Sequence, residues 1–302
     1  NQLPRFISPF PDDFLEEIIF LKAFTSNYLN DIIQLNKRES HWIVKGLEIF
    51  LIDKYMKEYY PKVKFIGYLS GNRFLKNYEI SKINFTDLFL NYSEYLQRLN
   101  IHQLDMQSSE SLTRINEEIA SPYHVGQGLV YLEDLIGKEE FELLIQQIIK
   151  ASSEKKLAQV FKNSESDLKW FIKDYVGSRQ SIDLKIQKID KNLFKVSEKN
   201  NIQIPYSVGL INSDSVVFSE KFSSFKKFNI PEIDYDYVVI NPSVKLPELN
   251  RNNNYIYRSG IKPLRIRAIG DLDDPTKNNL YIRPEVTYNS VSYTHLTLPT
   301  IE

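Results

Sequence analysis

Cysteine is absent from the 302 residues, so the chain forms no disulfide, offers no thiol nucleophile and cannot hold a metal through thiolate. Glycine is sparse, at 10 residues, and no Gly-rich loop that could cradle a phosphate occurs. Charge of one sign is missing as well. Lys and Arg number 38 against 39 Asp and Glu, a net charge of -1, so the basic excess or basic stripe of a nucleic-acid binder is not there. No stretch reaches the roughly 18 consecutive apolar residues that mark a membrane-spanning helix. An initiator Met and a signal-peptide pattern are also lacking, and Asn1-Gln2-Leu3-Pro4 reads like the interior of a longer protein, so the chain is expected to be a fragment. What is present suffices for a core. Hydrophobic residues make up 42%, with 19 Tyr and 18 Phe, which excludes global disorder.

The hydrophobic period divides the chain. From Asp12 to about Val176 apolar residues recur at helical spacing. Phe14, Ile18, Leu21, Phe24, Tyr28 and Ile32 mark one helix face, and Ile43, Leu47, Phe50 and Leu51 mark a second helix that Pro61 ends. Further helices are expected over about 84–99, 110–120, 127–136, 138–151 and 164–176, with Gly137 placed as a helix-ending residue and Ser164 with Asp167 as a capping box. After Gly177 the period falls to two. Ile182, Leu184 and Ile186 alternate with polar residues, and Leu193-Phe194-Lys195-Val196 follows a Lys-Asn turn, which predicts a hairpin. Short strands over 208–210, 216–218, 225–230 and 237–240 continue it into a small antiparallel sandwich. The expectation is an α+β, multidomain chain: a helical domain over 1–176, a β-sandwich over 177–245, and a linker with the start of a β-rich region over 246–290, including strands near 264–269 and 280–282. The segment 291–302, VSYTHLTLPTIE, resembles a translated adapter or vector tail and is set aside as non-native.

Trp42-Ile43-Val44-Lys45-Gly46-Leu47, opening the second helix, resembles the gluzincin zinc aminopeptidases, the family of membrane alanyl aminopeptidase and leukotriene hydrolase. In that family the first helix carries H-E-x-x-H and the next begins W-L-x-E-G, with eighteen residues between the second His and that Glu. Two His at i and i+4 and the later Glu hold zinc, and the Glu beside the first His activates water. Carried onto this chain, the spacing puts Lys22 and Ser26 at the two His positions, Ala23 at the general base and Lys45 at the third ligand. None of the four matches. An ammonium group repels a divalent metal, Ser is a poor zinc ligand and Ala moves no proton. The resemblance therefore implies a thermolysin-like helical domain with a degenerate site and no cofactor, zinc entering only if the register is wrong.

The same resemblance extends to Lys54-Tyr55-Met56 through Tyr60-Pro61 and to Tyr123-His124-Val125-Gly126, as in large bacterial envelope members of the superfamily, and more weakly to Ile204-Pro205-Tyr206-Ser207-Val208. It makes Tyr123 the candidate oxyanion residue, although the family's Lys before the Gly is Val125 here. It also implies a cell-envelope location in the periplasm or outer membrane, extended peptide or envelope proteins as partners, and an outer-membrane-associated region downstream of about 262–289.

Plainer readings stand beside these. Lys22 and Lys45 read as solvated helix residues, Trp42 as core, and Tyr123 as a core or capping tyrosine. His41, His102, His124 and His295 are scattered without metal spacing, and Asp271-Leu272-Asp273-Asp274 lacks the central Gly and terminal Glu of a calcium loop. The leading expectation is a catalytically inactive aminopeptidase-like domain that binds peptide or acts as a scaffold. The rivals are an active zinc aminopeptidase whose motif lies upstream, with Glu16 or Glu17 as its third carboxylate, and a helical interaction domain unrelated to peptidases.

Overall fold

The computed structural model describes residues 9–11, 13–164, 166–267 and 271–282, together with the backbone of Val286–Tyr288 and Thr294–Leu296. Helices come first: α1 (Phe14–Ile32), α2 (His41–Tyr59), the single turn α3 (Glu79–Lys82), α4 (Leu88–Arg98), α5 (Ser121–Ile136), α6 (Lys138–Lys150) and α7 (Glu154–Lys162). Strands follow: β1 (Leu184–Lys188), β2 (Leu193–Glu198), β3 (Tyr206–Asn212), β4 (Ser215–Phe222), β5 (Lys227–Asn229), β6 (Tyr237–Ile240), β7 (Tyr255–Tyr257), β8 (Leu264–Arg267) and β9 (Asn278–Tyr281). Segregated helices and strands give the α+β class.

Helix α2 is the hub of the helical part. Trp42, Ile43, Val44, Leu47, Ile49, Phe50, Ile52 and Met56 are all buried, so α2 is covered on nearly every side, as expected of a central helix. It crosses α5 at glycines. A Cβ on Gly46 would stand 2.3 Å from Cγ1 of Val125, and one on Gly126 would stand 2.6 Å from Cγ2 of Ile49. The two backbones approach so closely because both positions lack a side chain. Gly137 ends α5 with φ 88° and its N–H on the Glu133 carbonyl (2.9 Å), the helix-ending role expected of it.

Three helical expectations are corrected. In α1 the buried face runs through Phe14, Thr25 and Leu29, with Ile18, Leu21 and Ile32 half-buried, whereas Phe24 and Tyr28 are exposed. Phe20, Phe24 and Tyr28 instead stack on one another along a second, solvent-facing stripe. The helix expected over 164–176 is only a short wide turn, Phe171–Tyr175; Ser164 Oγ donates to the carbonyls of Phe161 and Ser166, and no capping box forms. Helix α7, not foreseen, has just Leu157, Val160 and Phe161 to hold it against the core, and Ser153 caps it through the Lys156 N–H.

The β half has two antiparallel sheets, β1-β2-β5 and β4-β3-β6-β7. The predicted hairpin is β1–β2, with Ile186 opposite Val196. Strand β7 adds to β6, so the sandwich sheet runs past residue 245 to Tyr257. Beyond it β8 and β9 pair in parallel, and the backbone of Val286–Tyr288 pairs antiparallel with that of Thr294–Leu296. The rest of the segment set aside as a tail lies outside the described residues. The acidic turn is engaged by protein partners: Asp271 takes the Glu79 N–H from α3 and neighbouring Arg265, and Asp273 takes Arg267.

One apolar cluster runs from Leu29 through Trp42, Trp170 and Phe171 to Phe194, Tyr206 and Leu246, so helices and sandwich share a core. A polar node locks the same junction. Glu94 of α4 accepts the Glu248 N–H (3.1 Å) and pairs with Arg251 and Arg98, while buried Glu248 accepts from Asn254 (2.9 Å) and Asn241 (3.4 Å). Tyr131 of α5 donates to the Pro205 carbonyl beside them (2.8 Å). Burial pushes the Glu248 carboxyl up from 4.5 to about 7, against the lowering effects of Asn254 and Arg251, and neighbouring Glu94 adds to the rise.

Two outcomes are expected. Gly46→Ala and Gly126→Ala should each lower stability by about 1–3 kcal/mol by urea unfolding, despite alanine's better helix propensity, because overpacking outweighs it. For Glu248 the folded-state pKa lies above the unfolded one, so its contribution is complete below pH 4.5 and is lost as pH rises through about 7. Glu248→Gln, the isostere of the protonated form, should match the parent near pH 4 and exceed it at pH 8 by a margin on the order of 3 kcal/mol. Equal unfolding midpoints for the two proteins across that range would contradict this.

Candidate functional site

Helices α1 and α2 run antiparallel: Ser26 meets Lys45, and Glu17 meets Tyr55 and Tyr60. Two of the three metal-ligand positions of the resemblance, 26 and 45, therefore face this seam. Lys45 Nζ donates to Ser26 Oγ at 3.3 Å and to Glu48 Oε2 at 2.8 Å. The Glu48 side chain is 3% exposed and accepts from Lys45, one helical turn away. An ammonium group thus sits between the serine at the second His position and a buried carboxylate.

Lys22 and Ala23 do not join them; both are exposed, and the Lys22 side chain makes no hydrogen bond or ion pair among the described residues. Positions 26 and 45 converge and position 22 does not. The donor set does not fit zinc. Its cation is already there, held by the carboxylate and hydroxyl that a metal would have to claim. Among the described residues no group of three or more His, Asp or Glu side chains stands together as a metal site.

Tyr123 lies at the start of α5, half-buried, its ring edge-on to Phe89 (4.8 Å) and near Tyr92 (6.1 Å). It packs on the small cluster of Ile49, Ile52, Met56 and Phe89 that Ile18 and Leu21 also flank. That cluster follows Lys45 along the same side of α2, since 45, 49 and 52 repeat at helical spacing. Desolvation raises its hydroxyl pKa, with Tyr92 adding to the rise, so Tyr123 holds its proton and remains a donor.

The carboxylates of the rival reading divide. Glu16 is exposed, while Glu17 Oε2 accepts both Tyr55 Oη (3.1 Å) and Tyr60 Oη. The hydrogen bond to Glu17, with burial, pushes Tyr60 up to about 12. The histidines are taken by other partners: His41 bonds the Glu117 carbonyl (2.9 Å), His102 the Arg179 carbonyl (2.7 Å), and His124 pairs with Asp105 (2.6 Å) against the Tyr175 ring. The side chain of His295 lies outside the described residues.

Glu48 was missed from sequence. Its signal was there, a carboxylate three residues after a lysine on a helix, but nothing in a linear pattern says that this carboxylate is buried. Lys45→Met should lower stability by about 1–3 kcal/mol by leaving Glu48 uncompensated, below the cost of breaking a fully buried pair because Lys45 is 33% exposed. Adding Glu48→Gln should recover most of the loss. Lys22→Ala should stay within about 0.5 kcal/mol of the parent in the same urea titration.

The chain matches no protein-family model and no curated protein.

Proposed function

We propose that this chain is a catalytically inactive, aminopeptidase-like unit of a bacterial envelope protein, with a peptide-binding or scaffolding role. One observation supports this above the others: the Lys45–Glu48 pair, with Ser26, occupies the seam where the resemblance puts the zinc ligands. Zinc hydrolysis of a peptide needs a metal held by neutral imidazoles and a carboxylate, and a base to take a proton from water. Here a cation replaces the metal's charge, its carboxylate neutralises it, and Ala23 stands at the base position. Such a seam conserves helix packing while abandoning chemistry.

The envelope location and any outer-membrane association rest on the resemblance alone. No helix among the described residues is long and apolar enough to cross a membrane, which is compatible with attachment through a partner or a region beyond these residues. The active-enzyme rival gains no support from Glu16 or Glu17, the first exposed and the second engaged by two tyrosine hydroxyls.

Purified protein should retain no stoichiometric zinc after dialysis and release no product from aminoacyl amide substrates. A tightly held zinc ion with hydrolysis would overturn the reading. Lys22→His, Ala23→Glu, Ser26→His and Lys45→Glu combined restore the four family residues, but with position 22 outside the seam this variant should retain no more zinc than the parent by metal analysis after dialysis; stoichiometric uptake would show that 22 can join 26 and 45.

A further inference from the structure

Where α3 and α4 meet the turn 249–252, the end of β8 and residues 272–275, a cavity of about 600 Å³ opens, the size of a small-molecule site. Its walls carry Lys82, Arg98, Arg251 and Arg267 against Glu79, Glu94 and Asp273, one more cation than anion. The deficit falls at Glu94, a single buried carboxylate that serves both Arg98 (3.2 Å) and Arg251. Each guanidinium has five N–H donors and no acceptor. Arg98 spends Nε on the Leu249 carbonyl (2.9 Å) and Nη2 on Glu94, Arg251 spends Nη2 on Glu94, and Arg267 spends Nη1 on Asp273 (2.7 Å) and the Tyr281 hydroxyl, which leaves Nη1 of Arg98 and Arg251 and Nη2 of Arg267 without an acceptor among the described residues. Ile83, Leu272 and Pro275 add an apolar wall to the same cavity.

We propose that this cavity binds a small oxyanion-bearing molecule, a carboxylate or a phosphate, through Arg98, Arg251 and Arg267. An oxyanion supplies what the cavity lacks: one negative charge and acceptor oxygens arranged for a forked donor. The site lies apart from the α1–α2 seam, and the proposal goes beyond the peptidase-like reading and survives if that reading fails.

The experiment is calorimetric titration of the whole chain at fixed ionic strength, with three probes: inorganic phosphate, a short apolar peptide with a free C-terminal carboxylate, and the same peptide as its C-terminal amide. Saturable one-site binding of phosphate or of the acid peptide, but not of the amide, is expected. The probe that binds identifies the source. Affinity should fall tenfold or more in Arg98→Lys, which keeps the charge beside Glu94, and in Arg267→Ala, and stay unchanged in Lys62→Ala, an exposed lysine outside the cavity lining. Circular dichroism checks that each variant folds, and the two arginines stand on different elements so that one remains informative if the other misfolds. No saturable binding of either anion, equal binding of acid and amide peptides, or affinities unmoved in the folded arginine variants would each overturn the proposal.

Discussion

The crossing of α2 over α5 at Gly46 and Gly126 is the constraint on which the rest hangs. Because the backbones touch there, α2 can be buried on almost all sides, with α1 on one flank and Phe141 of α6 against Phe50 on another. That burial fixes which residues of α1 face α2, and hence that Ser26 meets Lys45. The same α5 presents Tyr131 to the β half, whose core is continuous with that of the helices. A shift of α5 by one methyl group would therefore reach both the seam and the sandwich, since close-packed interiors transmit strain.

Much of this was legible in the residues and some was not, for identifiable reasons. Strong periodicity gave α1 and α2, alternation gave β1, and short apolar runs between turn residues gave β2 to β6. Which face of α1 is buried was misread. Two apolar stripes share that helix, Phe14–Ile18–Leu21 and Phe20–Phe24–Tyr28, and only tertiary packing tells them apart. Helix α7 and strand β7 escaped notice because three apolar residues among charges, or three residues after a run of asparagines, are too short a signal. In the candidate site the lysine was visible and its partner was not. The motif positions are read in one dimension, but the burial of Glu48 belongs to the fold.

Charge is handled in two ways. In the α1–α2 seam a buried carboxylate is given an ammonium ion on its own helix, an arrangement that local sequence alone can maintain. At the junction of helices and strands, Glu94 takes Arg98 one turn along its own helix and Arg251 from the far side of the chain, whereas buried Glu248 forms no ion pair among the described residues and rests on the amides of Asn241 and Asn254. A buried carboxylate held only by neutral amides ties the docking of the two halves to the proton concentration, as the raised Glu248 carboxyl implies.

Both tryptophans, Trp42 and Trp170, belong to the shared core, and neither indole N–H has a hydrogen-bond partner. The strands are populated with tyrosine and phenylalanine and hold no tryptophan. Indole emission from this protein accordingly arises from dry, apolar surroundings in the helical half, while the far-ultraviolet signal of β-structure arises from the other. The molecule so carries a separate optical reporter for each half. If the continuous core makes it unfold as one unit, the two signals will vanish together; a helical half that outlives the sandwich would leave its blue-shifted glow behind.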